Sequence, residues 1–328
     1  MEADTESREM TTKKLLLWSL IVAVLWQTGM FVWGYLNDLS VGADFVDRMV
    51  VFNDSFVPPW SPVFDHLLRY DSEWYIFISQ YGYGTVPPSA AFYPLYPLIL
   101  SFGGTIFGLA LLPLFALLVN TAALTAIIFF IHRIGEVWGF RRFAVWLMLG
   151  IWLMSPASYT LHIMYSESVF VALAAGAYLA ALRGKWKTMA ILLGLLTFMR
   201  LPGIIWAVLC FFEFIRQKGW KSKDILWFLC APVGFLTYMV ICWVSFGDPL
   251  AMRNNVYGTA YWPYQEFNPR VWETIWQGIL DANTNDHAFY AVVSIGVILV
   301  TCVGLLFWNW KLALPVVIAA LHSLFWLP

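Results

Sequence analysis

Long apolar runs, separated by short polar segments, recur from Leu15 to the end of the chain. Each run carries few or no charges, and a helix of about 20 apolar residues crosses a hydrocarbon core of roughly 30 Å. Read by hydropathy, the spans fall at 15–36, 109–132, 143–156, 166–182, 186–200, 203–216, 225–246, 288–308 and 311–328. The pattern therefore predicts an all-α polytopic membrane protein of about nine transmembrane helices. Between the first two spans lies 37–108, a long stretch of mixed character, and a second such stretch covers 247–287. No fixed-period repeat or Pro/Ser-rich linker divides the chain, so residues 1–328 are expected to form a single membrane domain.

Composition narrows the class further. The 328 residues are 61% hydrophobic and 12% charged, with a mean hydropathy of +0.71. A soluble domain is roughly half apolar and about one quarter charged, which excludes a soluble enzyme. A net charge of −1 and the lack of any basic block exclude nucleic acid as a partner. Cys210, Cys230, Cys242 and Cys302 all lie inside apolar runs, so they read as small hydrophobic residues, not disulfides or metal ligands. The first run is too long for a signal-peptide core and is expected to stay as an anchor.

The charges also orient the chain. With the N-terminus in the cytoplasm, 14 of the 19 basic residues, including every lysine, fall on the cytoplasmic side. The opposite side keeps Arg48, Arg69, Arg200, Arg253 and Arg270 against a majority of the carboxylates, as the positive-inside rule requires. Both long mixed stretches then face outward. This parity requires 91–107, with Pro94, Pro97 and the Gly103–Gly104 pair, to be a juxtamembrane or re-entrant piece that does not cross.

Residues 60–82, WSPVFDHLLRYDSEWYIFISQYG, predict an amphipathic helix with Ser61 as N-cap, Pro62 in the first turn and Gly82 as the stop. Phe64, Leu67, Leu68, Trp74, Tyr75 and Ile78 form its apolar stripe, while Asp65, Arg69 and Glu73 form a charge ladder opposite. Asp71 falls on the apolar stripe. A carboxylate there costs several kcal/mol of desolvation (~ on a buried-charge scale) unless a partner or a task offsets it, so Asp71 is either functional, a structural cap, or the partner of a buried arginine. Asp44 and Asp47 are further candidates, as a base, as substrate ligands or as solvated loop acids. Asn53, Asp54 and Ser55 spell a glycosylation sequon of little weight.

Arg200 sits in FMRLPG, where Pro202 and Gly203 break a helix. Its planar fork of donors suits a phosphate or carboxylate; the alternative is snorkelling to the headgroups. Glu167 opens a span, beside His162, Tyr165 and Ser166. It either binds substrate hydroxyls or is an acidic residue favoured by the helix dipole. His162 alone reads more naturally as a hydrogen-bonded histidine than as a ligand, and His66, His132, His287 and His322 are scattered singly. Zinc-hydrolase, nucleotide-loop, dinucleotide-fold and serine-hydrolase signatures are all missing from the sequence.

RYDSEWYIFISQYGYG followed by AFYPLYPL resembles the first pattern of the PIG-V mannosyltransferases, a WD pair leading to a FFPLYP stretch. SPASYTLHIMYSESVF resembles their second motif, FMRLPG their arginine motif, and FGDPLA a stretch of prokaryotic members, all in family order over about 70–252. The resemblance implies a GT-C-like bundle with an amphipathic outer loop after the first helix. It also implies a polyprenyl- or dolichyl-phosphate mannose donor and an acceptor outside the cytoplasm, or in the lumen for eukaryotic members. Asp71 matches the Asp of the WD pair, Glu167 the acid of the second motif and Arg200 the basic residue of the third. Tyr70 replaces the usual Trp, and the chain ends in LHSLFWLP where many prokaryotic relatives continue, so a last helix is expected to be missing.

These readings converge on an inverting glycosyltransferase of the membrane. Asp71 is the expected base, with Arg200 and Arg69 facing the lipid phosphate and Glu167, Asp44, Tyr165 and His162 as expected substrate contacts. Asp71 and Glu73 point to different faces of a continuous helix, so no required metal is expected, nor any cofactor. The partners expected are the lipid-linked sugar donor, a glycan, glycolipid or protein acceptor, and the bilayer. A membrane transporter or flippase is the alternative of a different class, although the inverted repeat common in transporters is not visible.

Overall fold

The computed structural model describes residues 11–41 and 60–255. Among these residues every long element is a helix: α1 (Thr12–Val41), α2 (Ser72–Tyr81), α3 (Leu95–Phe107), α4 (Leu112–Val137), α5 (Arg142–Leu153), α6 (Glu167–Leu182), α7 (Trp186–Met199), α8 (Gly203–Lys218) and α9 (Val233–Phe246), with a last turn α10 (Ala251–Asn254). Three stretches are long and apolar enough to cross a membrane, Thr12–Ser40, Leu109–Val137 and Lys223–Phe246. Four shorter apolar helices, α3, α5, α6 and α7, accompany them. The chain is an all-α membrane protein. Helix ends from 15 to 246 lie within a few residues of the hydropathy reading, while the spans expected at 288–308 and 311–328 and most of 247–287 lie outside the described residues.

Large apolar side chains cover the outside. Leu16, Leu17, Trp18, Leu20, Leu25, Val32 and Trp33 of α1, and Leu236, Val240, Trp243 and Val244 of α9, are all exposed. In water such stripes would drive association; against lipid they are the expected surface. Polar contacts turn inward instead.

α6 is the middle of the packing, with α4 on one side and α7 on the other, and α1 lies against α4. Its centre is built from Ala174, Ala175, Gly176, Ala177, Ala180 and Ala181, all buried. Small residues let helix backbones approach closely where no hydrophobic effect drives them together. α7 and α9 come nearer still: a Cβ on Gly234 would stand 2.1 Å from the Gly194 carbonyl oxygen.

Two elements depart from the sequence reading. The helix expected over 60–82 is broken into a 3-10 turn, Pro62–Leu67, and α2. Gly82 does stop α2, with φ at +71°, but α2 is not amphipathic, because Trp74, Tyr75, Ile76, Phe77 and Ile78 are all buried. The ladder of Asp65, Arg69 and Glu73 has no helix to sit on; Arg69 instead pairs with Asp38 of α1. The stretch read as non-crossing, 91–107, contains α3, whose 13 residues rise only about 20 Å. It joins the start of α4 through Gly108, at φ +78°.

Candidate active site

The site is organised by the irregular segment between α5 and α6. After Leu153 the chain runs through a 3-10 turn, Pro156–Leu161, and then an irregular stretch to Ser166. Irregular backbone at membrane depth leaves carbonyls that need donors. Two side-chain amides supply them from neighbouring helices. Gln27 Nε2 of α1 donates to the Leu161 carbonyl at 3.2 Å. Asn120 Nδ2 of α4 donates to the carbonyls of His162, at 3.2 Å, and Ile163, at 2.7 Å. The Ser168 hydroxyl donates back to Asn120 Oδ1 at 2.7 Å. Both amides are buried. The sequence reading missed them, yet the signal was available: a lone amide inside an apolar span is rarely idle.

On this segment rests the turn that carries Asp71. The Tyr159 hydroxyl donates to the His66 carbonyl at 2.8 Å, and the Met164 N–H to the Leu67 carbonyl at 3.0 Å. The Asp71 N–H donates to the Tyr165 hydroxyl oxygen at 3.2 Å. Between these anchors Tyr70 adopts φ +53°, alone among the non-glycine described residues. That left-handed step follows the 3-10 turn, which ends at Leu67, and redirects the chain into α2; a non-glycine residue held there stores of order 1 kcal/mol. Tyr70 itself is exposed.

Asp71 occupies the N-cap of α2. An aspartate is among the best N-caps because its side chain accepts from the first-turn N–H groups. Here it makes no such bond. Its carboxylate faces Tyr165 and Arg200, and burial pushes its pKa up against the lowering influence of the Tyr165 hydroxyl and the Arg200 charge. Arg200 is the extended C-cap of α7, at the helix break expected from FMRLPG. Its guanidinium forms an ion pair with Glu167, the first residue of α6, and donates to Ser166 Oγ at 3.3 Å. Glu167 Oε2 is buried and carries no hydrogen bond. Tyr75 of α2 closes the group, its hydroxyl 2.9 Å from Ser166 Oγ.

Asp71, Tyr165, Glu167 and Arg200, drawn from three separate motifs, thus meet in one place. The other expected residues do not join them. Arg69 is held by Asp38 at the C-terminal end of α1, where Asp65, Tyr159 and His66 are its electrostatic neighbours. His162 is fully buried; its Nδ1 lies 2.5 Å from Gln27 Oε1 and its Nε2 3.3 Å from His66 Nε2. The two imidazoles stack with centroids 5.5 Å apart. His66, read as isolated, is therefore a structural partner of His162, and a Cβ on Gly34 of α1 would meet the His66 ring at 2.6 Å. Asp44, with Asp47 and the sequon at Asn53, lies outside the described residues.

The wall around Tyr75 is aromatic. Phe92, Tyr96 and Tyr165 meet its ring edge-on at 5.3, 5.1 and 5.9 Å, and Trp74 stacks on Phe92 at 5.3 Å. These rings come from the two halves of the first motif and from the second.

A base candidate and an arginine paired to a second acid, at a break between helices, make a candidate group-transfer site. A family model for mannosyltransferases of the PIG-V type matches residues 14–242, and the chain belongs to that family. It is thus a glycosyltransferase of the mannosyltransferase kind, and a transporter becomes the weaker reading. Comparison with curated proteins and with solved structures gave no match. The matched region spans all four site residues.

Proposed function

We propose that this protein transfers mannose with inversion from a polyprenyl- or dolichyl-phosphate donor to an acceptor outside the cytoplasm, a glycan, glycolipid or protein. The observation that carries the reading is Asp71: a carboxylate at a helix N-cap, largely out of water, that is not spent on the cap. Arg200 is engaged with Glu167, so the carboxylate of Asp71 is also not the acid of that ion pair. The Arg200 charge still acts on Asp71, so the carboxylate sits beside a cation without replacing Glu167 in its ion pair.

In the proposed step the acceptor oxygen attacks the sugar anomeric carbon while its proton passes to an Asp71 oxygen. The bond from that carbon to the phosphate oxygen breaks, and the electron pair stays on the lipid phosphate. Arg200 lies where it can stabilise that departing charge, as preorganised cations do. The unbonded Glu167 Oε2 is suited to accept from a sugar hydroxyl. Arg69, engaged at Asp38, serves the outer turn and not the phosphate.

Depth and charge agree with an extracytoplasmic site. Arg133 of α4 donates to Thr12 of α1 at 2.7 Å, which puts their basic ends side by side. Thirteen residues separate Lys14 from Gln27 and Asn120 from Arg133, about 20 Å of helix in each case. With those basic ends at the cytoplasmic face, the site lies in the outer half of a core of roughly 30 Å. On this topology the protein is multi-pass with a cytoplasmic N-terminus, in the plasma membrane of a prokaryote or the endoplasmic reticulum of a eukaryote.

The test is Asp71→Asn in purified, detergent-folded protein given labelled polyprenyl-phosphate mannose and a membrane extract as acceptor source. Turnover is expected to fall by about 10²- to 10⁴-fold. Wild-type turnover by the variant rejects the base, and movement of intact labelled donor across vesicles without sugar transfer favours a flippase.

A further inference from the structure

The base itself needs a holder. Asp71 follows directly on the strained Tyr70, and α2 behind it starts without a side-chain cap. The Asp71 carbonyl accepts the Trp74 and Tyr75 N–H groups at 3.0 and 3.3 Å, so α2 fixes the backbone on that side but does not fix the carboxylate. Beyond the anchors at His66 and Leu67, the segment before α6 reaches Asp71 itself through one hydroxyl. Tyr165 Oη accepts the Asp71 N–H at 3.2 Å, which leaves its own proton to give, and the Asp71 carboxylate is the acceptor beside it.

The ring of Tyr165 is not free to swing. It meets Tyr75 edge-on at 5.9 Å, and its segment is pinned by Asn120 through the Ile163 carbonyl at 2.7 Å. Its backbone N–H also donates to Ile163 at 2.7 Å. A rigid phenol that bonds the main chain of Asp71 and lies beside its carboxylate restricts where that carboxylate can turn.

We propose that Tyr165 is a positioning residue for Asp71: its hydroxyl holds the turn and keeps the carboxylate toward the acceptor. This rests on the reading of Asp71 as the base. It goes beyond that reading by taking Tyr165 out of the set of substrate contacts.

The groups facing Asp71 are few. Tyr165 reaches it from the segment before α6, Glu167 from the first turn of α6, Arg200 from the end of α7 and Tyr75 from α2. Burial raises the proton affinity of Asp71; the Tyr165 hydrogen bond and the Arg200 charge lower it. Loss of the phenol hydroxyl removes one lowering influence, so the acid limb of the rate profile must move to higher pH.

The experiment measures kcat and donor KM against pH for wild type, Tyr165→Phe and a protein carrying 3-fluorotyrosine at 165. Tyr165→Phe is expected to shift the acid limb of kcat up by about one pH unit, the scale of one hydrogen bond to a charged group, with donor KM unchanged. The fluorinated phenol is a stronger donor of nearly the same shape, so it should shift the limb down, and it serves if the Phe variant folds poorly. Limbs that stay in place, or a raised donor KM with a fixed limb, overturn the proposal. Asp71→Asn separates the two failures: full turnover there removes the base, whereas its inactivity together with immobile Tyr165 limbs removes only the holder.

Discussion

Two arginine–carboxylate pairs flank the turn that carries Asp71, and they are about equally exposed. Arg69 and Asp38 have side chains 19% and 18% exposed; Arg200 and Glu167 are both 22% exposed. Each bridges elements about thirty residues apart in sequence. Burial alone therefore assigns them the same role. What differs is the capacity left over. The first pair ties the end of α1 to the turn before α2. The second has a neighbouring carboxylate, Asp71, that caps nothing, and an oxygen of Glu167 that accepts nothing. On the proposed function, the carboxylates gathered around Arg200, not exposure, set the second pair apart.

The largest effect that would break this contrast is at Asp71. Beyond its activity loss, Asp71→Asn should leave the thermal midpoint in detergent unchanged or raised. The sign follows from burial: a folded-state pKa raised above the unfolded value means stability is lost as pH rises through it. The neutral isostere escapes that loss, and the gap should close on acidification below the ordinary carboxylate range. A midpoint that drops would make Asp71 a structural residue.

Arg200→Gln comes next, and its effects should separate. Donor binding should weaken by about tenfold or more, the scale of a charge-assisted contact. Stability should also fall, because Glu167 is left without its partner. Adding Glu167→Gln should restore much of the midpoint and none of the donor affinity, read by a thermal scan and by donor titration. Restored binding would place the phosphate elsewhere.

Arg69→Gln should have the smallest effect. Loss of a partly exposed pair costs at most about 1 kcal/mol, seen as a small drop in midpoint, with transfer rates within a few-fold of wild type. A loss of turnover comparable to that of Arg200→Gln would return Arg69 to the phosphate site.

Much of this was legible in the sequence. Asp71, Glu167 and Arg200 each stood out as a charge in an apolar or interfacial setting, and they do meet. Helix boundaries followed from hydropathy and from punctuation such as Gly82, Pro202 and Gly203. The break at Leu68–Asp71 was not legible, because the helical spacing of apolar residues continues straight through it from Phe64 to Ile78. The partner that draws Arg69 out of the ladder, Asp38, is 31 residues away. Gln27 and Asn120 were passed over inside apolar runs, although they hold the segment on which the whole site rests.

The sequence by itself determined that the chain is helical, that it belongs in a membrane and which charges are too costly to be accidental. These are sums over residues, since transfer free energy accumulates along a segment whatever its neighbours are. Only the tertiary structure decided which buried polar groups satisfy one another: His162 with Gln27 and His66, Arg69 with Asp38, Arg200 with Glu167. Such pairing depends on distances of about 3 Å between helices, and no property of a single segment fixes them. Asp71 acquires its proposed meaning at that level, as a carboxylate set beside Tyr165 and Arg200 that neither caps α2 nor replaces Glu167.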